Sequence, residues 1–193
     1  MIEPYSKKKH IYQAGAKLFQ EKGYAATSMR ELAVQVQLEV SSLYSHISSK
    51  EQILQSVCFE VAKQFADGIE VIYGDTHSAK QKLKEIIELH LKIITENQTN
   101  FNVFNKEYIH MSEPKLSEFL KLRKEYEKKC ISILKEGNKL GHFKNLDPLF
   151  MMKTLFNSMT WVHEYYKPNK GIDLNLINKS MYKLLISGIR KKN

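Results

Sequence analysis

The residues best suited to chemistry in this chain lie between positions 27 and 51, TSMRELAVQVQLEVSSLYSHISSKE. The chemistry they suit is recognition. Thr27 and Ser28 open one short amphipathic helix and Lys50 opens another. A helix N-terminus offers unpaired N–H groups and the positive end of a dipole, which favour a phosphate. Between these ends, Ser41, Ser42 and Ser45 are small enough to let a helix approach a DNA major groove closely. Tyr44 can offer its hydroxyl to the DNA backbone while its ring packs. Glu39 has two readings: a carboxylate accepting from cytosine N4, or a first-turn acid complementing the helix dipole. Two short helices, a tight turn and a third helix start form a helix-turn-helix, whose second helix enters the major groove.

Bond-making chemistry finds little support. The chain has no GxSxG, HExxH, GxGxxG or Walker loop. Ser180 to Lys183 fits SxxK, but the KTG and SDN companions that such an enzyme needs are missing. The seven histidines lie without metal-ligand spacing. We therefore expect no catalytic residues, no metal site, no cofactor and no enzyme. Cys58 and Cys130 form no CxxC pair and sit on apolar helix faces, as small core hydrophobes do in a reducing cytosol.

The elements that must position these residues are all helical. A first helix runs from about Lys7 to Lys22 with Ile11, Ala14, Leu18 and Phe19 on one face, and Gly23 stands where a left-handed cap belongs. Ser28 and Glu31 form a capping box. The next helix buries Leu32, Ala33 and Val36, and the third buries Leu43 and Ile47. Ser48 and Glu51 form a second box that starts a long fourth helix, with Ile53, Leu54, Val57, Cys58, Val61 and Phe65 inside. Longer helices follow at about 79–97, 100–111, 113–139, 148–166 and 174–191, with Ser112/Pro114 and Asp147/Pro148 as caps and Pro168 as a stop. The fold class is all-α, with about nine helices. A helix-turn-helix DNA-binding domain occupies 1–52, and a larger helical ligand-binding and dimerisation domain occupies 53–193. The fourth helix belongs to both parts.

The chain carries 30 Lys and Arg against 21 Asp and Glu, a net charge of +9. Up to Lys50 there are seven basic residues against four acidic ones, so most of the excess lies beyond the motif. The motif rather than the charge points to DNA. Lys7, Lys8 and Lys9 could reach phosphate or the minor groove, or remain a solvated tail. They precede no apolar stretch of the kind a signal peptide has, and no run approaches the roughly 20 apolar residues that span a bilayer. No membrane contact and a cytoplasmic location are expected.

The collinear segments AGAKLFQEKGYAATSMRELA (14–33) and LYSHISSKEQIL (43–54) resemble the TetR family of one-component bacterial regulators. The resemblance implies that Thr27, Ser28, Tyr44 and Lys50 contact phosphate, which positions without specifying. It implies that Arg30, Val40, Ser41, Ser42, Ser45 and His46, with Glu39 beside them, face base edges. The chain departs from the family pattern at Gln37, where glycine usually forms the turn, at Glu39, where serine often opens the recognition helix, and at His46-Ile47, where an aromatic pair is common. These departures bear on operator sequence rather than on fold.

RKEYEKK from Arg123 and NSMTWVHEYYKPNKG from Asn157 resemble the subset that regulates fatty-acid and steroid catabolism and senses acyl-CoA thioesters. Phe101, Phe104, Tyr108, Met111, Tyr126, Trp161 and Tyr165 are candidates for an apolar pocket, although such a stripe at helical spacing is more often plain core. Arg123 suits a CoA phosphate or an ion pair with Glu127 at i+4. His163 is a further polar residue, or a satisfied core histidine. The helix at 148–166 is apolar nearly all round: Leu149, Met152, Phe156 and Met159 mark one side, Met151, Leu155 and Val162 another. Such a helix must be covered nearly all round. With Ile177, Met181, Leu184, Leu185 and Ile189 on the 174–191 helix, it suggests a homodimer interface; a buried monomer core is the alternative.

The expected function is a repressor released from palindromic double-stranded operator DNA by a small hydrophobic effector such as an acyl-CoA. A multidrug-type regulator would instead pair a hydrophobic cation with Glu107 or Glu164. A third possibility is a DNA-binding regulator with no small ligand.

Overall fold

The computed structural model describes residues 4–166 and 173–189. Its helices are α1 (Pro4–Lys22), α2 (Met29–Gln35), α3 (Val40–Tyr44), α4 (Lys50–Gly74), α5 (Ala79–Glu96), α6 (Gln98–Lys106), α7 (Lys115–Lys139), α8 (Pro148–Thr160), α9 (Val162–Tyr165) and α10 (Leu174–Ile189). A 3-10 turn, Tyr108–His110, follows α6. No strand occurs among the described residues, so the all-α class holds. The expected 148–166 helix is divided at Trp161 into α8 and α9. Pro168, the expected stop, lies outside the described residues, as do positions 167–171 of the aromatic-proline segment.

The chain forms two compact units. Residues 1–62 and 99–120 make the first; 63–98 and 121–193 make the second. The compact division thus falls within α4, ten residues beyond the 52/53 division expected from function, and it places 99–120 with the helix-turn-helix.

In the first unit, Ile11, Ala14, Leu18 and Phe19 of α1 are buried, as are Leu32, Ala33, Val36, Leu43, Ile47, Ile53, Leu54, Val57, Cys58 and Val61. Each large side chain removed from water contributes about 1.5–3 kcal/mol. The α1 terminus closes on Gly23 at φ 86°, whose N–H donates to the Phe19 carbonyl at 2.9 Å. Only a residue without Cβ takes that φ freely. The first capping box forms as expected: the Ser28 Oγ accepts from the Glu31 N–H at 3.2 Å, and the Glu31 carboxylate accepts from the Ser28 N–H at 2.9 Å. The Lys22 ammonium adds a 2.7 Å bond to the same carboxylate. Lys22, then Ser28, hold the Glu31 carboxyl down at about 2.

The second expected box does not form. The cap shifts by one residue: the Ser49 Oγ accepts from the Gln52 N–H at 3.1 Å, and the Gln52 side chain accepts from the Ser48 N–H at 2.8 Å. Glu51 is freed from capping and accepts the Ser112 N–H at 2.7 Å instead. Ser112, expected as a cap, spends its hydroxyl on the same carboxylate at 3.2 Å. Asp147 does cap α8, accepting from the Phe150 N–H at 2.7 Å with Pro148 in the first turn.

In the second unit, α5 buries Leu83, Ile86, Ile87, His90, Leu91 and Ile94, and packs against α8, α9 and α10. α7 contributes Tyr126, Cys130, Ile133 and Leu134 to the core. Gly137 gives the Phe143 ring its place: a Cβ there would lie 2.1 Å from the ring. The buried Lys82 stem ends in an ammonium that donates to the Tyr73 carbonyl at 3.1 Å, at the close of α4. α8 buries Met151, Met152, Leu155 and Met159. Leu149, on one apolar side of the expected interface helix, is exposed, and so are Phe150, Leu176 and Leu184; Leu184 is 70% exposed. In a single chain these apolar side chains therefore remain uncovered.

Candidate nucleic-acid interface and effector core

The recognition helix α3 is one and a half turns long and is anchored only by Leu43, which is fully buried, with Ile47 just beyond it. Burying that one side chain turns the others outward. Ser41, Ser42 and Ser45 are exposed, and Val40 and His46 half-buried. The Ser45 hydroxyl donates to the Ser42 carbonyl at 2.7 Å. Glu39 is the N-cap residue, exposed, and its side chain makes no cap hydrogen bond, so its carboxylate is available at the tip of the helix. Arg30 and Ser28 are exposed on the first turn of α2. Tyr44 is 51% exposed, which leaves its ring less packed than the sequence suggests.

Two of the expected phosphate contacts face inward. Thr27 is only 3% exposed and its hydroxyl donates to the Gly23 carbonyl at 2.9 Å. The Lys50 ammonium donates to the carbonyls of Tyr24 and Thr27, each at 2.7 Å, and stands 4.2 Å from the centre of the Tyr24 ring. Burial pushes its pKa below the ordinary lysine value. The carbonyls closing the α1–α2 turn need donors, and these two side chains supply them. Their capture is a tertiary effect that helix-start chemistry does not reveal.

Around Tyr24 lies a set of contacts missed from sequence. The Tyr24 N–H donates to the Glu107 carboxylate at 3.0 Å, and the His110 ring stacks on Tyr24 at 5.3 Å. His110 Nε2 lies 3.6 Å from the Glu107 carboxylate. Glu107, considered from sequence as a partner for a cationic effector, is instead engaged with the turn. No local spacing could have announced a pairing across 83 positions.

The eight candidate effector residues do not fall in one compact unit. Phe101, Phe104, Tyr108 and Met111 belong to the first, where the rings of Phe104 and Tyr108 meet Phe119 at 5.5 and 5.4 Å. Arg123, Tyr126, Trp161 and Tyr165 belong to the second. Trp161 and Tyr165 meet edge to face at 5.4 Å but are 47% and 55% exposed, so they are surface residues rather than core. Arg123 is half-buried on α7. Glu127, its expected i+4 partner, accepts from Lys153 of α8 at 2.7 Å.

Tyr126 sits at the centre of the second unit's aromatic core, with a residue sequence reading passed over. His90 Nε2 and the Tyr126 hydroxyl are hydrogen-bonded at 2.6 Å. The His90 ring lies 4.7 Å from Phe65 and 4.1 Å from Phe156. Burial pushes the His90 pKa down to about 3, raises Tyr126 well above the ordinary phenol value, and raises the neighbouring Cys130 thiol to about 12. The cluster is therefore polar and uncharged. One signal was present: His90 occupies the apolar face defined by Ile86, Ile87 and Leu91. His163 is buried and donates from Nδ1 to the Thr160 carbonyl, as a core histidine does.

Comparison with known proteins agrees with this architecture. Residues 11–57 match the family described as bacterial regulatory proteins, tetR family, and residues 76–189 match the tetracyclin repressor-like C-terminal domain. The chain is 25% identical to the HTH-type transcriptional repressor KstR2 of Mycolicibacterium smegmatis, covering 97% of this chain and 92% of that protein. It is 26% identical to the fatty acid metabolism regulator protein of Bacillus subtilis, covering 94% and 95%. AibR, solved in complex with isovaleryl coenzyme A and operator DNA, shares the fold at a TM-score of 0.80 and 19% identity, covering 93% and 98%. No described helix is long and apolar enough to cross a membrane. With an exposed recognition helix and both family regions matched along its length, the chain belongs to the tetR family of bacterial transcriptional regulators.

Proposed function

We propose that this regulator is a homodimeric repressor in the cytoplasm that leaves its palindromic operator when an acyl-CoA enters residues 53–193, while residues 1–52 hold the DNA. The observation that carries the effector class is electrostatic. Among the described residues no Asp or Glu is buried, and the polar pair at the heart of the second unit, His90 and Tyr126, is neutral. An apolar core without a carboxylate suits an uncharged acyl chain. A hydrophobic cation would lose its hydration and find no counter-charge. Of the two acids a cation-sensing reading needs, Glu164 is exposed and Glu107 binds the Tyr24 N–H. The relative named for fatty acid metabolism and the AibR complex with isovaleryl coenzyme A support the same class.

In this reading Tyr126 and His90 orient the buried end of the effector, and Arg123 meets the coenzyme's phosphates. Trp161 and Tyr165 keep their candidacy as apolar contacts of that same unit, and Phe101, Phe104, Tyr108 and Met111 keep theirs within the first unit. Ser28, Arg30, Glu39, Val40, Ser41, Ser42, Tyr44, Ser45 and His46 form the DNA-facing surface. Thr27 and Lys50 serve it through the backbone they hold. The uncovered Leu149, Phe150, Leu176 and Leu184 are the natural seat of the second subunit.

The test is a fluorescence-anisotropy titration of DNA from the protein's own promoter region, with a panel of acyl-CoAs and a panel of hydrophobic cations. Release by one chain-length class of acyl-CoA is expected. Release by cations alone would replace the acyl-CoA reading with the multidrug one. Switching occupancy from 1:99 to 99:1 requires a preference of about 10⁴-fold for the released form.

A further inference from the structure

On the helix-turn-helix unit a groove of about 500 Å³ runs between α1 and the end of α2. Ile11 and Val36, both buried, and Leu38 give it an apolar floor, and the exposed side chains of Lys7, His10, Gln35 and Gln37 form its rim. The rim holds one ammonium, one imidazole and two carboxamides, and no lining residue is acidic. Lys8 and Lys9, also exposed, add positive charge beside it. Such a donor-rich rim over an apolar floor matches a sugar–phosphate chain: anionic oxygens on the edge, deoxyribose against carbon.

The position of the groove selects its occupant. Gln37 stands two residues before Glu39, the N-cap of the recognition helix, a span of about 7 Å at full extension. A duplex read by α3 therefore runs within reach of the Gln37 side of this rim. We propose that the groove seats the DNA backbone flanking the bases read by α3. Lys7 would pair with a phosphate, His10, Gln35 and Gln37 would donate hydrogen bonds, and Ile11, Val36 and Leu38 would contact the sugar. This rests on the DNA-binding function of the chain. It adds a backbone contact outside the helix starts at Ser28 and Lys50, one that fixes register without reading sequence.

Hydroxyl-radical footprinting on the promoter duplex, combined with anisotropy across a salt series, tests it. The Lys7→Ala/His10→Ala variant should lose sugar protection at the flanks and keep it at the centre. Its log-affinity against log-salt slope should be less steep by about 1, the value of one phosphate contact. Gln37→Glu, which places a carboxylate on the rim, should weaken binding on every duplex, most at low salt. A flank footprint and slope equal to those of the unaltered protein would overturn the proposal while leaving DNA binding intact. So would an even loss of protection across the whole site with an unchanged slope. Failure of the unaltered protein to bind any promoter DNA would instead sink the regulator reading itself.

Discussion

The Tyr24 N–H donates to the Glu107 carboxylate at 3.0 Å, joining the α1–α2 turn to the end of α6. The Glu51–Ser112 bond of 2.7 Å ties the start of α4 to the same region of chain. Residues 99–120 are thereby fastened to the helix-turn-helix by two carboxylates that accept backbone N–H groups. A movement of this segment would be felt at the turn that precedes α2.

Glu107→Ala should therefore destabilise the protein by about 1.5–3 kcal/mol, the range for a hydrogen bond to a charged group. It should also blunt effector-driven release more than it weakens DNA binding. Urea unfolding midpoints and anisotropy with and without effector measure the two. An unchanged midpoint together with unchanged release would show that the bond transmits nothing.

Gln37 carries a left-handed φ of 55° in the turn between α2 and α3. A side chain there costs about 1–2 kcal/mol of backbone strain. Gln37→Gly relieves it, at the expense of roughly 0.5–1 kcal/mol of added unfolded-state freedom. A net gain of a few tenths to about 1 kcal/mol is expected, read as a rise in melting temperature. A fall would mean that the Gln37 side chain makes stabilising contacts outweighing the strain.

Glu39 and Tyr44 should separate specificity from affinity. Glu39→Gln should change base preference in a binding-site selection experiment, because the carboxylate stands uncapped at the tip of α3. Tyr44→Phe should weaken operator and unrelated DNA alike by removing a backbone contact. Lys50→Ala should also weaken both, by loosening the α1–α2 turn rather than by removing a phosphate contact, and should lower stability, since it deprives two carbonyls of their donor. Altered base preference in Tyr44→Phe with affinity intact would refute its assignment to phosphate.

His90 gives a pH dependence whose sign follows from its lowered pKa. The folded protein holds this ring neutral down to about pH 3, whereas the unfolded chain protonates it near its ordinary value of 6.5. The stabilisation is complete above 6.5 and is lost progressively as pH falls from there through about 3. One proton difference gives a slope of at most about 1.4 kcal/mol per pH unit in that window. His90→Gln, which keeps a hydrogen-bonding group for Tyr126, should flatten the slope between pH 6 and 4 in guanidinium titrations. An unaltered slope would move the titration to another group.

Features that depend on neighbours along the chain were legible from the residues alone. Apolar periodicity marked α1 and α4, the Ser28–Glu31 spacing marked the start of α2, and Gly23 marked the end of α1, because helix faces and caps are written within three or four residues. Collinear motifs also exposed the family. The partners of polar atoms separated by tens of residues emerged with the packing of the helices. Packing turned Thr27 and Lys50 inward to satisfy the carbonyls of the α1–α2 turn, moved the α4 cap from Ser48 to Ser49, and drew Glu51 and Glu107 to distant N–H groups. It placed His90 against Tyr126 and distributed the aromatic candidates over two units. Buried donors and acceptors must find partners wherever packing brings them, and no local pattern records which partner that will be.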